Sequence, residues 1–373
     1  MEMNLTRDGF TKNALKTMAL CLCLLALRSL PSLTNRFHSL RAVQQLVWEL
    51  RNGDLNAADF HALSAGYYEK LEQARTPAWA DKNGFRFRDD FLRYEYKPNV
   101  SFPYAAGMRV TNSFGMANPE YGYEKPPFTR RIAWIGDSMS VGPYGHSYEQ
   151  LLENRLNQSY LTPDIHQFQV LNFSVPGYFS VQMMDVVLEK VPKFHPDVYV
   201  VTLTSLEMGG LGGPPRHLAM LNESGIDFKY DYLRQIAAKA GVKRTDRRAE
   251  VMSKLKPYSL QITRWAFEQI HKSAEAHGAK MIVVMVSGPT NLYVTGSDFD
   301  QLHKAVDGLG VPVIDLRGTF QNIDDLAALQ VAQGEDIHPN VRGHQMIFDD
   351  LYAHLLAQPD ALSALTGSVP GHQ

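Results

Sequence analysis

The sequence predicts an α/β chain organised around a parallel five-stranded sheet. Three observations carry that expectation. Short apolar runs recur from residue 131 onward, and helical-period stretches separate them. The runs are apolar throughout rather than alternating, as strands covered on both faces require. The first of them ends in a glycine, where a strand gives way to a turn.

The elements follow in chain order. Arg41 to Arg51 carries Val43, Leu46, Val47 and Leu50 at helical spacing, and Asn56 to Glu72 reads as a second helix capped by Asn56 or Asp54. Ala74 to Pro127 is rich in Pro, Gly, Asn, Tyr and Phe, with short extended pieces, and reads as a lead-in that wraps the main domain. RIAWIG, from Arg131 to Gly136, is the first strand. Ser147-Tyr148-Glu149-Gln150 is a capping box that opens a helix through Leu156. Phe168 to Ser174 is the second strand, followed by a helix near Val181 to Val191. Asp197 to Leu203 is the third strand, Lys280 to Val286 the fourth and Val311 to Leu316 the fifth. A helix over Ile262 to His277 precedes the fourth strand, and Val341 to Leu356 closes the domain. The resulting division is a leader at 1–35, a lead-in at 36–129, a main domain at 130–357 with an insertion at 214–258, and a tail at 358–373.

Composition bounds the function. The chain has 373 residues, 45% hydrophobic and 20% charged, which is globular composition and excludes a disordered or fibrous chain. With 37 basic and 39 acidic residues the net charge is -2, so the global balance offers nucleic acid no footprint. Both cysteines, Cys21 and Cys23, lie in the N-terminal apolar run, which leaves the globular part without a disulfide or a thiolate nucleophile. That run, Thr17 to Leu27, follows Arg7, Lys12 and Lys16 and stops at Arg28. The layout is that of a secretory signal or a short anchor. It is short of the roughly 20 apolar residues that span a bilayer unaided. The expected location is therefore membrane-anchored or exported, with a tether through the N-terminus; an amphipathic helix packed on the domain is the alternative.

Ligands of parallel sheets bind at the carboxyl ends of the strands, so the chemistry is sought there. The first strand ends in Gly136-Asp137-Ser138-Met139-Ser140, which puts the Ser138 hydroxyl at that edge. The second ends in Asn172-Phe173-Ser174-Val175-Pro176-Gly177-Tyr178, where Gly177 lets the backbone approach a ligand and present its N–H. Near the C-terminus, Glu335-Asp336-Ile337-His338-Pro339-Asn340 precedes the last helix. A carboxylate just before a histidine suits an acid–base pair, the acid orienting the imidazole and stabilising its charged form. His344 falls inside the closing helix and reads as a packing or surface histidine.

In this order on this sheet, the three segments resemble the SGNH (GDSL-type) hydrolase family over roughly Arg131 to Leu356. The lead-in from Arg109 to Gly142 also looks like bacterial members that carry an N-terminal membrane or signal segment. The resemblance implies a flavodoxin-like three-layer α/β/α sandwich. It implies Ser138 as nucleophile and His338 as general base, with the N–H groups of Ser138 and Gly177 donating to the oxyanion. The family's D-x-x-H motif points by spacing to Glu335 and by residue type to Asp336; Glu335 is preferred, because residues three apart in a turn share a side. No cofactor and no metal are implied. The expected activity is an esterase or deacylase acting on a small-molecule, lipid or glycan ester. An O-acetyltransferase on a surface glycan, or a binding module with little turnover, is the alternative.

One family motif departs. Where members carry G-x-N-D after the third strand, this chain has Thr204, Ser205, Leu206 and Glu207. Leucine has no donor to replace the asparagine amide. Such a donor is typically worth about 3 kcal/mol in the transition state. Ser205 and the N–H groups of the glycine run 209–213 are candidate substitutes, the run reading equally as a loop over the pocket or as a plain linker. In the insertion, Lys239, Lys243, Arg244, Arg247 and Arg248 read as a solvated helix face, or else as a cap that meets an anionic head group or acidic polysaccharide.

Overall fold

The computed structural model describes residues 84–104, 107–208, 212–290, 296–331 and 337–367. The expected N-terminal leader and the two helices over 41–72 lie outside them. Among the described residues no helix is long and apolar enough to cross a membrane.

The lead-in forms two antiparallel hairpins, β1 (Phe85–Phe87) with β2 (Tyr94–Tyr96) and β3 (Ser101–Tyr104) with β4 (Gly107–Val110). The central sheet is parallel and contains β5 (Thr129–Ile135), β6 (Gln167–Asn172), β7 (Val198–Leu203), β8 (Lys280–Val286) and β9 (Val313–Leu316). Its order is β6-β5-β7-β8-β9, the doubly wound arrangement whose order reverses beside its first strand. The helices are α1 (Tyr148–Ser159), α2 (Ser180–Glu189), α3 (Gly213–Glu223), α4 (Asp231–Lys239), α5 (Arg248–Leu255), α6 (Ser259–Ala276), α7 (Gly296–Val306), α8 (Val341–Ala357) and α9 (Pro359–Thr366).

Period-two alternation along β5 sorts its side chains into two cores. Ile132 and Trp134 face α1, α8 and α9, together with Val198, Val200, Ile282 and Val284 from neighbouring strands. Ala133 and Ile135 face the other way, packing with Tyr199, Val201, Met281 and Val283 against α2, α3 and α6. Each large side chain buried this way contributes on the order of 1.5–3 kcal/mol. Because both faces are covered, each strand carries consecutive apolar residues such as Ile132 to Ile135 and Met281 to Val286, and the three-layer sandwich follows.

The lead-in is bound to this sheet through specific polar groups. Strand β6 is an edge strand, and Asn118 shields its open side: its amide donates to the Val170 carbonyl at 2.9 Å, and its side-chain oxygen accepts from the Asn172 N–H. Arg131, buried at 1% exposure, donates to Gln169 Oε1 and to the carbonyls of Tyr123, Glu124 and Phe194. A buried guanidinium is tolerated because its donors find acceptors.

Three local expectations change. The helix expected to stop at Leu156 continues to Ser159, and its Ser147 cap makes no side-chain bond to the helix. Gln150 instead accepts from the Gly145 N–H at 2.6 Å, so the box residues close the preceding turn. Residues 359–366, within the stretch read as a tail, form α9, whose last carbonyls at Ala364 and Leu365 are capped by Arg130. The insertion is helical, and its Arg247 and Arg248 pair with Glu250 and Glu223 at the surface.

Candidate active site

The nucleophile turn grows directly out of β5. Ser138–Ser140 form one 3-10 turn, with Asp137 as its cap accepting from the Met139 N–H at 2.8 Å. The other oxygen of Asp137 accepts from Thr204 Oγ1 at 2.8 Å, which fastens the end of β5 to the end of β7. Burial pushes the Asp137 carboxyl upward in pKa, against those hydrogen bonds. A second clasp lies one turn away, where Ser140 Oγ bonds Tyr148 Oη at 2.6 Å and Thr202 Oγ1 at 2.9 Å. Gly136 makes the close packing possible, because a Cβ there would lie 2.0 Å from Thr202 Oγ1.

His338 reaches the turn from the far end of the chain. Its Nε2 lies 2.7 Å from Ser138 Oγ, within direct hydrogen-bond reach. The histidine is carried by an antiparallel bridge between Gln330 and Pro339, and the Val331 N–H donates to the His338 carbonyl at 3.0 Å. Asn340 then caps α8 by accepting from the N–H groups of Arg342 and Gly343. Gly288, just past β8, lets this segment close down: a Cβ there would meet the Ile337 carbonyl oxygen at 2.3 Å.

The third element is the loop after β6. Asn172 is fully buried; its amide donates to the Ser140 carbonyl at 2.7 Å and to Glu149 Oε1 at 2.6 Å. The Val175 N–H donates to the Gly136 carbonyl at 3.2 Å, so this loop lies against the nucleophile turn. Gly177 is exposed at φ +78°, left-handed backbone that glycine adopts without strain. Among the described residues, neither the Ser138 N–H nor the Gly177 N–H has a protein acceptor. From outside the sheet, Tyr94 Oη donates to the Pro176 carbonyl at 2.8 Å, and Tyr178 Oη donates back to the Tyr94 carbonyl.

The end of β7 carries the departed motif. Leu206 sits half-buried in the short turn Ser205–Glu207. Glu207 is buried, accepts from the Ser180 N–H at 3.1 Å and from Thr263 Oγ1 at 3.2 Å, and is pushed up to about 7 by burial. It therefore anchors the N-terminus of α2 rather than facing the nucleophile turn. Gly213 has φ +48°, and a Cβ there would lie 2.0 Å from the Glu207 carbonyl oxygen. Residues 209–211, most of the glycine run, lie outside the described residues.

Ser138 and His338 thus come together at the carboxyl end of β5, and the loop that carries Gly177 is joined to the same turn through the Val175–Gly136 bond. The two acid candidates, Glu335 and Asp336, lie outside the described residues. His344 is a packing residue: it is fully buried, stacks on Tyr148 at 5.7 Å, and burial lowers it to about 3. Among the described residues no cluster of three or more His, Cys, Asp or Glu side chains is arranged to hold a metal. Local sequence pattern did not reveal the roles of Thr202, Thr204 and Tyr94, which arise from long-range pairing, or that of Tyr148, which bonds Ser140 eight residues away. Asn172 had a local signal, a polar residue ending an apolar strand.

A doubly wound sheet with a serine–histidine pair at the carboxyl end of its first strand has the layout of a serine hydrolase of the flavodoxin-like type. The chain belongs to the GDSL-like Lipase/Acylhydrolase family, whose model matches residues 134–346, more than half of its length. No curated protein matches it. Among solved structures it is similar to TesA, at 13% identity over 61% of this chain and 98% of that one, with a TM-score of 0.36. It is also similar to the psychrotrophic esterase EstA from Pseudoalteromonas sp., at 12% identity over 61% and 97% of the two chains, TM-score 0.38. A catalytic mutant of Axe2, an acetylxylan esterase from Geobacillus stearothermophilus, gives 13% identity over 60% and 93%, TM-score 0.39.

Proposed function

We propose that the chain is a serine esterase or deacylase that transfers an acyl group through Ser138 to water. The observation that carries this reading is the 2.7 Å approach of His338 Nε2 to Ser138 Oγ. In the proposed reaction His338 takes the serine proton as Oγ attacks the ester carbonyl. Negative charge then gathers on the carbonyl oxygen, where the N–H groups of Ser138 and Gly177 donate to it. The absence of a protein acceptor for either group among the described residues supports that role. Collapse breaks the ester bond, and His338 returns its proton to the leaving alcohol. Water repeats the sequence on the acyl-serine, with His338 again as base, and frees the acid. Glu335 is the acid we assign to hold the imidazole.

Hydrolysis of a short-chain nitrophenyl ester tests the reading. Ser138→Ala and His338→Ala each remove nearly all turnover with the fold retained; wild-type-like turnover in either sinks the assignment. We further propose export or anchoring through the basic, apolar N-terminus. A reporter fused after residue 40 then fractionates with membrane or the extracytoplasmic space, and a soluble cytoplasmic signal counts against it.

A further inference from the structure

A cavity of about 330 Å³ reaches Val175 and Tyr178 of the Gly177 loop, and its lining includes neither Ser138 nor His338. Its floor is aromatic. Phe114, Tyr123 and Phe194 meet with ring centroids 4.6–5.0 Å apart, and Phe173 joins Phe194 at 5.4 Å. Tyr123 remains 47% exposed, so part of its ring is open to an occupant of the cavity.

The walls are cationic. Arg86, Arg88, Lys190 and Lys193 line the cavity against a single carboxylate, Glu95. Arg86 meets Glu95 Oε1 at 2.6 Å and Arg88 meets the same oxygen at 2.8 Å, while Lys190 pairs with Oε2. Glu95 is held at about 2 despite its burial, so it stays ionised and already has all the partners it can take. Asp90 pairs with Arg88 from outside the cavity. Among the described residues Lys193 has no carboxylate partner, and Arg86 bonds through Nε and Nη2 while its Nη1 has no acceptor. The cavity therefore carries surplus positive charge and unused donors beside a cluster of aromatic rings packed edge to face.

We propose that this cavity binds a carboxylate borne on a six-membered ring. The carboxylate would accept from Lys193 and Arg86 in charge-assisted bonds, and the apolar face of the ring would lie on the aromatic floor. A uronic-acid sugar and an aromatic acid share this chemistry. Val175 and Tyr178, on either side of Pro176 and Gly177, form part of the wall, so an occupant touches the loop that presents the Gly177 N–H.

Calorimetry on the full chain tests the proposal with no ester present, using a glucuronate oligosaccharide, 2-naphthoate, and the uncharged counterpart of each. At least one carboxylate binds saturably, weakens as salt is added, and exceeds its uncharged counterpart. Lys193→Glu and Arg86→Gln each weaken it roughly tenfold or more, the scale of one lost charge-assisted bond. Uronate binding alone identifies a sugar site, and naphthoate binding alone an aromatic-acid site. Both substitutions fall on exposed side chains, and fluorophosphonate labelling of Ser138 reports that each variant is folded. Absence of saturable binding by either carboxylate overturns the proposal, as does binding that both variants leave unchanged. Neither result bears on the nucleophile, which labelling reads separately.

Discussion

The Tyr94 hydroxyl donates to the carbonyl oxygen of Pro176 at 2.8 Å. That carbonyl belongs to the peptide unit whose N–H is the Gly177 donor. In a trans peptide the C=O and N–H point in opposite directions. Holding the oxygen from outside therefore aims the N–H inward and polarises it. The lead-in, through β2, thereby helps orient the N–H that we propose as an oxyanion donor. Tyr94→Phe is expected to lower kcat by about tenfold with KM nearly unchanged, since a misaimed donor costs only the transition state. Steady-state kinetics on the nitrophenyl ester measure this split. A rise in KM at constant kcat would assign Tyr94 to substrate binding instead.

Leu206 stands where family members carry a donor asparagine. Leu206→Asn is expected to raise kcat/KM, by less than the ~10²–10³ that one full donor is worth. The shortfall arises because nothing fixes the new amide in place. Leu206 is half-buried, so the melting temperature falls at the same time. An unchanged rate in a folded variant would mean that another group already completes the hole.

Four buried ionisable groups contribute opposing pH trends to stability. Burial raises Glu149 to about 8 and Glu207 to about 7, from 4.5 for the free side chain. Between those values the unfolded chain has released protons that the folded chain keeps, so stability falls as pH rises from about 4.5 through 8. Burial lowers His217 and His344 to about 3 from 6.5. Below 6.5 the unfolded chain takes up protons that the folded chain refuses, so stability falls as pH drops toward 3. The two trends oppose one another between 4.5 and 6.5. The melting temperature is expected to peak within that interval, and Glu207→Gln to flatten the decline on its alkaline side. A melting temperature still climbing from pH 6.5 to 8 would contradict this balance.

The triad acid is tested by charge removal. Glu335→Gln is expected to cut kcat on the order of 10³-fold or more, because the imidazolium loses the charge that stabilises it. Asp336→Asn is expected to cost less. The reverse ranking moves the role to Asp336.

The strands were legible because burial on both faces leaves no alternation to confuse them: Lys280 to Val286 matches its expected limits, and β5, β6 and β7 shift by only one or two residues. The helix α7 was not foreseen, and its polar solvent side dilutes the apolar signal of Phe299 and Leu302. Ser138, Gly177 and His338 were legible as residues at strand ends and a helix entry. The clasps around them were not. Thr204 to Asp137 spans 67 residues and Tyr94 to Pro176 spans 82, and such pairings exist only once the sheet has formed. Glu207 shows the same limit: it occupies a motif position in sequence, yet in space it faces Ser180 and Thr263.

The proposed reaction requires Ser138 to be activated by His338, and a serine-directed fluorophosphonate reads that activation directly. Mass spectrometry of the labelled protein is expected to place a single stoichiometric adduct on Ser138. His338→Ala should slow labelling by a factor on the order of 10³ or more in a folded protein, because the hydroxyl then keeps its proton. An unlabelled Ser138 in the folded chain, or labelling as fast without His338 as with it, would contradict the proposed activation.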